Sequence, residues 1–365
     1  MRLVLVGAGH AHLHLLAHAE DLRAAGYEVV LIAPQRFDYS GLATGVLSGA
    51  VAEAQASIDI AELAARQSVR HLPARVLDGD LKARRLELDS GETVAFDRLS
   101  LNVGSVVDDP QDLGRAPDVW PVKPLTRLFE LKARVEARLA GEGPAPVIVV
   151  AGGGQTGFEV AAALAGLCER AGRAPDITLV ARAAPRWGPP KAIAALEASL
   201  ARRGVRIRRG EVIGRDAGLC RLSNGADLPC EMLVLAGGLR APQLGSRLGL
   251  ATDEKDRIRV GPGLQAKDHP QVSAAGDCAV LDHAPRPMVG VFGVRAAPVL
   301  LNNLLASAGC AAPRAYRPQR RWLSIMDLGD GTGLALRGSF WWRGRAALAL
   351  KRRIDLGFVE RARSP

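Results

Sequence analysis

The sequence has few cysteines, and no two of them stand at short spacing. The five residues are Cys168, Cys220, Cys230, Cys278 and Cys310. None of the intervals between them has the CxxC or CxxxxC pattern. An odd, dispersed set of this kind argues against a framework of disulfide bonds and against a metal site. We therefore predict buried free thiols, and no metal.

Long apolar runs and aromatic residues are also scarce. No apolar run reaches the roughly 18 residues that a membrane-spanning helix needs. The first apolar stretch, residues 3–6, runs straight into a glycine turn, so it belongs to the fold rather than to a signal peptide. Hydrophobic residues make up 48% of the 365 positions, which is enough for at least two domains. We expect a cytoplasmic protein.

Acidic residues are few near the C-terminus. The chain carries a formal net charge of +10, and residues 313–365 alone hold twelve Lys or Arg against four Asp or Glu. Ala347, Leu350, Ile354 and Phe358 recur there at helical spacing. Such a helix either lies on an anionic membrane surface, such as the inner membrane face, or packs on the protein itself. Because no recognition motif or interleaved aromatic residues accompany the charge, we predict no nucleic-acid binding.

A glycine turn follows the first apolar stretch. Gly7 and Gly9 stand between a predicted strand and a predicted helix, and a second strand, YEVVLIAP, comes next. A βαβ unit of this kind lets backbone N–H groups and a helix N-terminus approach a pyrophosphate. His12 occupies the position of the usual third glycine. Alternate residues of a helix point in different directions, so His10, His12 and His14 do not predict a metal site.

A second glycine turn lies about 145 residues further along the chain and contains all three glycines, Gly152, Gly154 and Gly157. The next strand of this unit ends at Arg182, without the acidic residue that favours the free ribose of NAD. Arg182 and Arg186 would instead accept the 2′-phosphate of NADP, unless both are solvated surface residues. The second turn therefore predicts a nicotinamide dinucleotide site with some preference for NADPH.

The second half of the chain repeats the organisation of the first. In each half the βαβ unit is followed by short alternating segments, typical of an antiparallel meander, and then by another apolar strand. This duplication at the scale of a domain predicts two bound dinucleotides.

A series of motifs follows this order along almost the whole chain. They are GAGHAHLHLL at 7–16, DYSGLATGVLSG at 38–49, FDRLSLNVGS at 96–105, WPVKP at 120–124, GGGQTGFEVA at 152–161, VLAGGLRAP at 234–242, AAGD at 274–277 and GVFGVRAAPVLLNNL at 290–304. Together they resemble the two-dinucleotide-domain FAD/NAD(P)H oxidoreductases of the pyridine nucleotide-disulfide oxidoreductase superfamily. Within it the chain is similar to the type II NADH dehydrogenase group, and most similar to the flavoprotein domain fused to selenide, water dikinase. Since no cysteine precedes Cys168, a disulfide reductase is not expected.

The resemblance implies an α/β fold with two Rossmann-like FAD/NAD(P)-binding domains of the three-layer ββα type and a small C-terminal segment. The FAD-binding domain would be discontinuous, formed by residues 1–115 and 260–308. The NAD(P)-binding domain would span 120–258, and the basic C-terminal segment would span 309–365. FAD and NAD(P)H would be the cofactors.

The resemblance also implies which residues contact the cofactors. The FAD contacts would be Gly7, Gly9, His10, Ala11, Pro34, Tyr39, Gly104, Asp277, Gly293 and Val294. The nicotinamide dinucleotide contacts would be Gly152, Gly154, Gln155, Thr156, Gly157, Arg182 and Gly237. A helix starting near Ala296 would direct its positive end at the flavin. Glu159, two residues after the third glycine, would lie near the nicotinamide as the catalytic residue.

The expected activity is transfer of hydride from NAD(P)H to flavin, and of electrons on to a small-molecule acceptor, with a quinone as the predicted acceptor. Two alternatives stay open. One is a soluble flavoprotein reductase in selenium or sulfur metabolism. The other is a non-catalytic flavin-binding partner or sensor.

Overall fold

The computed structural model describes residues 1–216 and 218–364 of the chain. The strands, numbered in chain order, are β1 (Arg2–Val6), β2 (Glu28–Ile32), β3 (Arg36–Asp38), β4 (Ser57–Asp59), β5 (Arg70–Leu72), β6 (Val76–Asp80), β7 (Arg85–Leu88), β8 (Thr93–Ala95), β9 (Arg98–Leu101), β10 (Val106–Val107), β11 (Val119–Pro121), β12 (Val147–Ala151), β13 (Asp176–Ala181), β14 (Val205–Arg209), β15 (Val212–Asp216), β16 (Leu219–Leu222), β17 (Asp227–Pro229), β18 (Met232–Leu235), β19 (Leu239–Arg240), β20 (Ile258–Val260), β21 (Gln265–Ala266), β22 (His269–Ala274), β23 (Ala279–Leu281), β24 (Ser324–Asp327), β25 (Gly333–Arg337) and β26 (Phe340–Gly344). The helices are α1 (His10–Ala17), α2 (Ala19–Ala24), α3 (Ala43–Leu47), α4 (Glu53–Ala56), α5 (Ile60–Arg66), α6 (Leu125–Ala140), α7 (Gln155–Arg170), α8 (Pro190–Arg202), α9 (Leu244–Arg247), α10 (Gly290–Ser307) and α11 (Arg345–Arg363).

The first sheet has eight strands in the order β23-β20-β21-β22-β9-β1-β2-β5. Strands β22, β9, β1, β2 and β5 run parallel. Val4 of β1 pairs with Val30 on one side and with Leu99 on the other, and all three side chains are fully buried. Such apolar strands suit a parallel sheet, because both of its faces are covered.

The second sheet has five parallel strands in the order β11-β18-β12-β13-β14. Each of the two sheets is accompanied by a three-stranded antiparallel meander, β6-β7-β8 in the first half of the chain and β15-β16-β17 in the second. Each glycine turn joins a central strand to a helix, β1 to α1 and β12 to α7. Both glycine turns therefore have the strand-to-helix geometry that the sequence predicts.

The C-terminal segment folds into the antiparallel sheet β24-β25-β26, followed by α11. Its side chains extend both hydrophobic cores: Leu334 and Leu336 pack with the core of the second sheet, and Val359 packs with that of the first. Burial of each such side chain contributes about 1.5–3 kcal/mol. The C-terminal segment therefore packs against both halves of the molecule and stabilises their contact.

Helix α11 directs most of its apolar side toward the protein. Ala347 is fully buried, Leu350 and Phe358 are half-buried, and Ile354 remains 46% exposed. Of the two interpretations of this stripe, packing on the protein's own body agrees with the structure. Within the described ranges, no helix is both long and apolar enough to cross a bilayer.

Helix α10 begins at Gly290, so the prediction of a start near Ala296 was wrong. The glycines of this stretch are typical of a loop, but here they serve close packing. A Cβ atom at Gly290 would lie 3.2 Å from the His10 ring, and one at Gly293 would lie 3.4 Å from the Cα of Gly276. Glycine therefore lets the first turns of α10 approach the first glycine turn.

The thiols follow the prediction with one exception. Cys168, Cys220, Cys230 and Cys278 are buried and free, and Cys310 is free but exposed. Burial raises the pKa of both Cys168 and Cys278 to about 11, which keeps these thiols protonated and unreactive. Over the described part of the chain, no group of three or more His, Cys, Asp or Glu is arranged to hold a metal ion.

Candidate functional site

The first glycine turn is shaped by its contact with Asn102. Gly7 has a φ of +84°, and a Cβ atom there would lie 2.6 Å from the Asn102 backbone oxygen. A Cβ atom at Gly9 would overlap the Asn102 side chain. Gly7 therefore requires glycine because of its positive φ and the nearby backbone, and Gly9 requires it because of the close Asn102 side chain.

Asn102 is a residue that the sequence reasoning missed. Its Oδ1 accepts hydrogen bonds from the backbone N–H groups of Ala11 at 3.0 Å and His12 at 3.3 Å, and its Nδ2 donates to Ala275 O at 2.6 Å. The backbone N–H of Ala11, a predicted FAD contact, is therefore already bonded within the protein. The available signal was the position of Asn102 directly after the apolar strand β9.

His12 fills the space that the third glycine usually leaves open. Its Nδ1 donates to Gly7 O at 2.6 Å, and its Nε2 accepts from the Ser100 hydroxyl at 2.8 Å, since a carbonyl can only accept. Burial lowers the pKa of His12 to about 4, although the Gly7 bond acts in the opposite direction. His12 is thus a neutral, fully bonded link between α1, β1 and β9.

A cavity of about 390 Å³ lies between the two glycine turns. The predicted site residues that line it are Gly9, His10, Gly104, Gln155, Thr156, Glu159, Gly237, Asp277 and Gly293. They come from both sheets, and Ser324, Ile325 and Met326 of the C-terminal segment complete the wall. The structure therefore brings half of the 18 predicted residues, from both halves of the chain, to one place.

An ion pair stands at one side of this cavity. Lys123 Nζ donates to Asp277 Oδ2 at 3.0 Å and to Ser105 Oγ at 2.6 Å, and the Ser105 hydroxyl donates to Asp277 at 2.7 Å. Burial would raise the pKa of Asp277, but Lys123 and Ser105 outweigh it and hold that pKa below its usual range. Lys123 was missed as a site residue, although it lies in the WPVKP motif.

Glu159 faces the cavity from α7. Its Oε1 accepts from Thr44 Oγ1 and from the backbone N–H of Asp327, both at 2.8 Å. Burial raises the pKa of Glu159 above the ordinary value, and Lys351 and the two hydrogen bonds only reduce that rise. Thr44 belongs to the first half of the chain and Asp327 to the C-terminal segment, so all three parts of the molecule meet at the carboxyl group of Glu159.

Lys351 of α11 supplies the positive charge behind Glu159. Its Nζ donates to Gly41 O at 2.7 Å and to Asp355 Oδ2 at 3.0 Å, and the Tyr39 hydroxyl donates to Asp355 Oδ1 at 3.0 Å. Burial would lower the pKa of Lys351, but Glu159 and Asp355 outweigh it and raise that pKa. This buried cluster links the C-terminal helix to the wall of the cavity.

The second glycine turn is closed more tightly than the first. A Cβ atom at Gly152, whose φ is +150°, would overlap the Ala236 backbone oxygen, and one at Gly157 would overlap the Gly152 backbone oxygen. At Gly154, in contrast, a Cβ atom would meet no atom within 4 Å. Gly152 and Gly157 therefore hold the turn together, and Gly154 faces open space.

A second opening, of about 480 Å³, extends from this turn along the ends of the second sheet. Gly152, Arg182, Glu211, Gly237 and Lys255 are among the residues that line it. The Arg182 side chain is 81% exposed, and its Nη1 lies 4.0 Å from Glu211. Such a loosely held guanidinium is free to meet an anionic ligand.

Nine of the 18 predicted site residues do not line the central cavity. Five of them belong to the two glycine turns or to the second opening, namely Gly7, Gly152, Gly154, Gly157 and Arg182, and the other four lie elsewhere. Ala11 is buried beneath the first turn, Tyr39 bonds Asp355, and Pro34 is exposed after β2. Val294, predicted to contact FAD, lies on the outer side of α10 and lines a separate groove instead. Because α10 already begins at Gly290, Val294 lies within the helix and not in a loop before it. Successive side chains of a helix point to different sides, and that of Val294 points away from the cavity.

Comparisons with known proteins agree with this arrangement. The family model described as pyridine nucleotide-disulphide oxidoreductase matches residues 1–297. An NADH dehydrogenase-like protein of Mycobacterium tuberculosis is 31% identical over 235 residues, which are 61% of this chain and 58% of that protein. The ferredoxin–NAD(+) reductase component of the biphenyl dioxygenase system of Paraburkholderia xenovorans is 30% identical over 290 residues, 76% of this chain and 67% of that protein. The chain thus spans little more than half the length of the mycobacterial relative.

Solved structures confirm the predicted α/β fold class with Rossmann-type dinucleotide-binding units. The sulfide:quinone oxidoreductase from Aquifex aeolicus has a TM-score of 0.82 at 16% identity, covering 99% of this chain and 91% of that one. The reductase of a covalent putidaredoxin reductase–putidaredoxin complex has a TM-score of 0.74 at 22% identity, covering 93% and 81%.

The names of this family and of the two relatives agree with the predicted class of enzyme, an oxidoreductase that uses a pyridine nucleotide. The chain therefore belongs to the pyridine nucleotide-disulphide oxidoreductase family.

Proposed function

We propose that this chain takes hydride from NAD(P)H with FAD as its cofactor and passes the electrons to a separate acceptor. One observation carries the proposal. A single cavity is lined by Gly104 and Asp277 beside the first sheet and by Gln155 and Glu159 at the second glycine turn. Two dinucleotides held at the two turns would therefore meet in one place, as hydride transfer requires.

The residues of the first half fit FAD. Gly7 and Gly9 keep side chains away from the turn, and Asp277 offers a carboxylate for the hydroxyl groups of a sugar-like chain. Lys123 holds that carboxylate ionised and adds a positive charge beside it. When bound, FAD would accept hydride and release electrons, and the protein would orient it and exclude water.

The residues of the second half fit a nicotinamide dinucleotide. Gly154 leaves open space at the N-terminus of α7, where a pyrophosphate would find backbone N–H groups. Arg182, with no acidic residue at the end of β13, supports the use of NADPH. We assign Glu159 the catalytic role of holding the nicotinamide end in the cavity, since it is the carboxyl group fixed there by Thr44 and Asp327.

The domain boundaries follow the two sheets in this proposal. Residues 1–115 and 260–308 would hold FAD, residues 120–258 would hold the nicotinamide dinucleotide, and the C-terminal segment would close the cavity. The first sheet supports this division, because its strands come from both residues 1–115 and residues 260–308.

The acceptor is proposed to be a quinone, reached by docking on the inner face of a membrane. A specific relationship to the flavoprotein domain fused to selenide, water dikinase is part of the same proposal. The basic C-terminal segment supports an anionic docking surface. Among the described residues, only Arg343 and Lys351 of its twelve Lys and Arg form ion pairs, with Asp330 and Asp355. Phe340 of this segment is 65% exposed. The relative from Paraburkholderia xenovorans, in contrast, is named for a ferredoxin, so a protein acceptor is the competing possibility.

Anaerobic titration of the purified yellow protein tests the proposed function. We expect stoichiometric NADH or NADPH to bleach the flavin absorbance, with NADPH at least as effective because of Arg182. A protein that carries FAD but is bleached by neither nucleotide would be a flavin-binding partner or sensor, and the dehydrogenase proposal would fail.

Lys123→Met is expected to weaken FAD binding at least tenfold, which is a loss of at least about 1.4 kcal/mol of binding free energy. The substitution removes the positive charge beside Asp277, and Lys123→Arg should restore most of the affinity. Titration of the apoprotein with FAD, followed by the quenching of flavin fluorescence, measures the effect. Lys267→Met is the matched control, because Lys267 forms an exposed ion pair with Asp282 away from the cavity. Equal FAD affinity in Lys123→Met and in the control would contradict the role of Lys123.

A further inference from the structure

A groove of about 550 Å³, separate from the central cavity and from the second opening, lies on the outer side of α1, between α10 and the end of α11. His10 and His14 stand four residues apart on one face of α1, His18 follows directly after the end of that helix, and all three line this groove. We call it the histidine groove. The sequence reasoning considered His10, His12 and His14 together, but the structure separates His12, which points to β9, from this row.

The histidines offer hydrogen-bonding groups at the edge of the groove. The rings of His14 and His18 lie 4.2 Å apart, and His18 Nδ1 donates to His14 O at 2.9 Å. That bond fixes the proton of His18 on Nδ1, and its Nε2 is left to a ligand or to water. Arg361 stands at the same rim, exposed and without an ion-pair partner in the described residues.

The floor of the groove is apolar. Leu13 and Ala17 of α1, Val294 and Ala297 of α10, and Phe358 of α11 form it. An apolar floor with a few polar groups at its rim is typical of small-molecule sites, which usually measure about 300–1,000 Å³. The histidine groove therefore has the size and the lining of a ligand site.

His10 connects the histidine groove with the central cavity, because it lines both. Its ring centroid lies 5.3 Å from that of Phe358 and 5.5 Å from that of Tyr39, and these two rings stack at 4.7 Å. Burial lowers the pKa of His10 to about 4, although Asp277 acts in the opposite direction, so the ring is neutral at physiological pH. The rings of His10, Tyr39 and Phe358 thus form a neutral aromatic wall between the histidine groove and the central cavity. At His10 this wall is one side chain thick.

We propose that the histidine groove binds the electron acceptor, and that this acceptor is a small planar ring bearing carbonyl oxygens, the chemistry of a quinone. The proposal rests on the proposed function. The apolar floor would cover the face of the ring, and Arg361 would donate to one of its carbonyl oxygens, while His18 Nε2 would accept from a hydroxyl group of the hydroquinone product. In the overall reaction NAD(P)H, one proton and the quinone give NAD(P)⁺ and the hydroquinone, so two electrons and two protons reach the acceptor. A protein carrier could not enter a groove of this size.

Binding to the oxidised holoprotein tests the proposal without turnover. The probe is a water-soluble, fully ring-substituted benzoquinone, which does not alkylate thiols, and the method is isothermal titration calorimetry. Ala17→Trp should fill the groove and weaken binding at least tenfold, and Arg361→Gln should weaken it several-fold. Ala346→Trp is the matched control, because Ala346 is exposed on α11 and does not line the groove.

The outcomes separate this proposal from the proposed function. Bleaching of the flavin by NAD(P)H should be unchanged in Ala17→Trp, since Ala17 lines neither the central cavity nor the second opening. Unchanged quinone affinity in Ala17→Trp would overturn the site, as would a wild-type protein that is bleached by NAD(P)H but binds no quinone. If the wild-type protein is not bleached at all, the proposed function fails while quinone binding still tests the groove.

Discussion

Lys351→Met is expected to lower the free energy of unfolding by about 3 kcal/mol, because breaking a buried ion pair from one side leaves an uncompensated charge. The Lys351 side chain is only 12% exposed and that of Asp355 only 9%. Removal of the ammonium group also leaves Gly41 O without its donor and Glu159 without its nearby positive charge. Chemical unfolding of the holoprotein, followed by far-ultraviolet circular dichroism, measures the loss.

A second variant shows whether the charge itself is responsible. Asp355→Leu added to Lys351→Met should recover most of the lost stability, because neither charge then remains buried, although the Tyr39 hydroxyl loses its acceptor at a cost of about 1 kcal/mol. Arg66→Met is the surface control; its pair with Glu62 is 48% and 63% exposed and should contribute less than about 0.5 kcal/mol. If Lys351→Met is as stable as Arg66→Met, the buried pair does not hold α11 to the cavity.

The same cluster shows where sequence reasoning reaches its limit. The glycine turns were predictable because their spacing, adjacent strand and helix are local features of the chain. The contacts of Glu159 with Asp327 and of Lys351 with Gly41 join positions 168 and 310 residues apart. No local pattern encodes such pairs, so the basic segment could be described only as a helix on a membrane or on the protein.

Two departures from local preference, one in α10 and one at the first turn, have a similar cause. Glycine is a poor helix former, which favours a helix start near Ala296 over one at Gly290, but the small size of Gly290 and Gly293 serves the packing of α10 against His10 and Gly276. Likewise, His12 departs from the usual glycine pattern of the motif, and its ring forms a hydrogen bond with the distant Ser100. In both cases tertiary packing outweighs a local preference.

Gly157→Ala is expected to destabilise the second half of the molecule by about 3 kcal/mol and to abolish measurable NAD(P)H binding. The new methyl group would overlap the backbone oxygen of Gly152, and a backbone atom cannot move aside as the end of a side chain can. The first turn of α7 would have to separate from β12, which would displace Gln155 and Glu159 from the cavity. FAD content should be retained, since the first sheet and Asp277 lie outside this turn.

Gly154→Ala provides the matched comparison within the same turn. Its φ of −80° suits alanine, and the added methyl group would meet no protein atom within 4 Å, so thermal stability should stay within about 0.5 kcal/mol of the wild type. The methyl group would instead occupy the space proposed for the pyrophosphate, and NAD(P)H affinity should fall at least tenfold. Nucleotide titration of both variants by flavin bleaching, beside their unfolding curves, distinguishes the two effects. Full NAD(P)H affinity in a folded Gly154→Ala protein would mean that the dinucleotide does not bind at this turn.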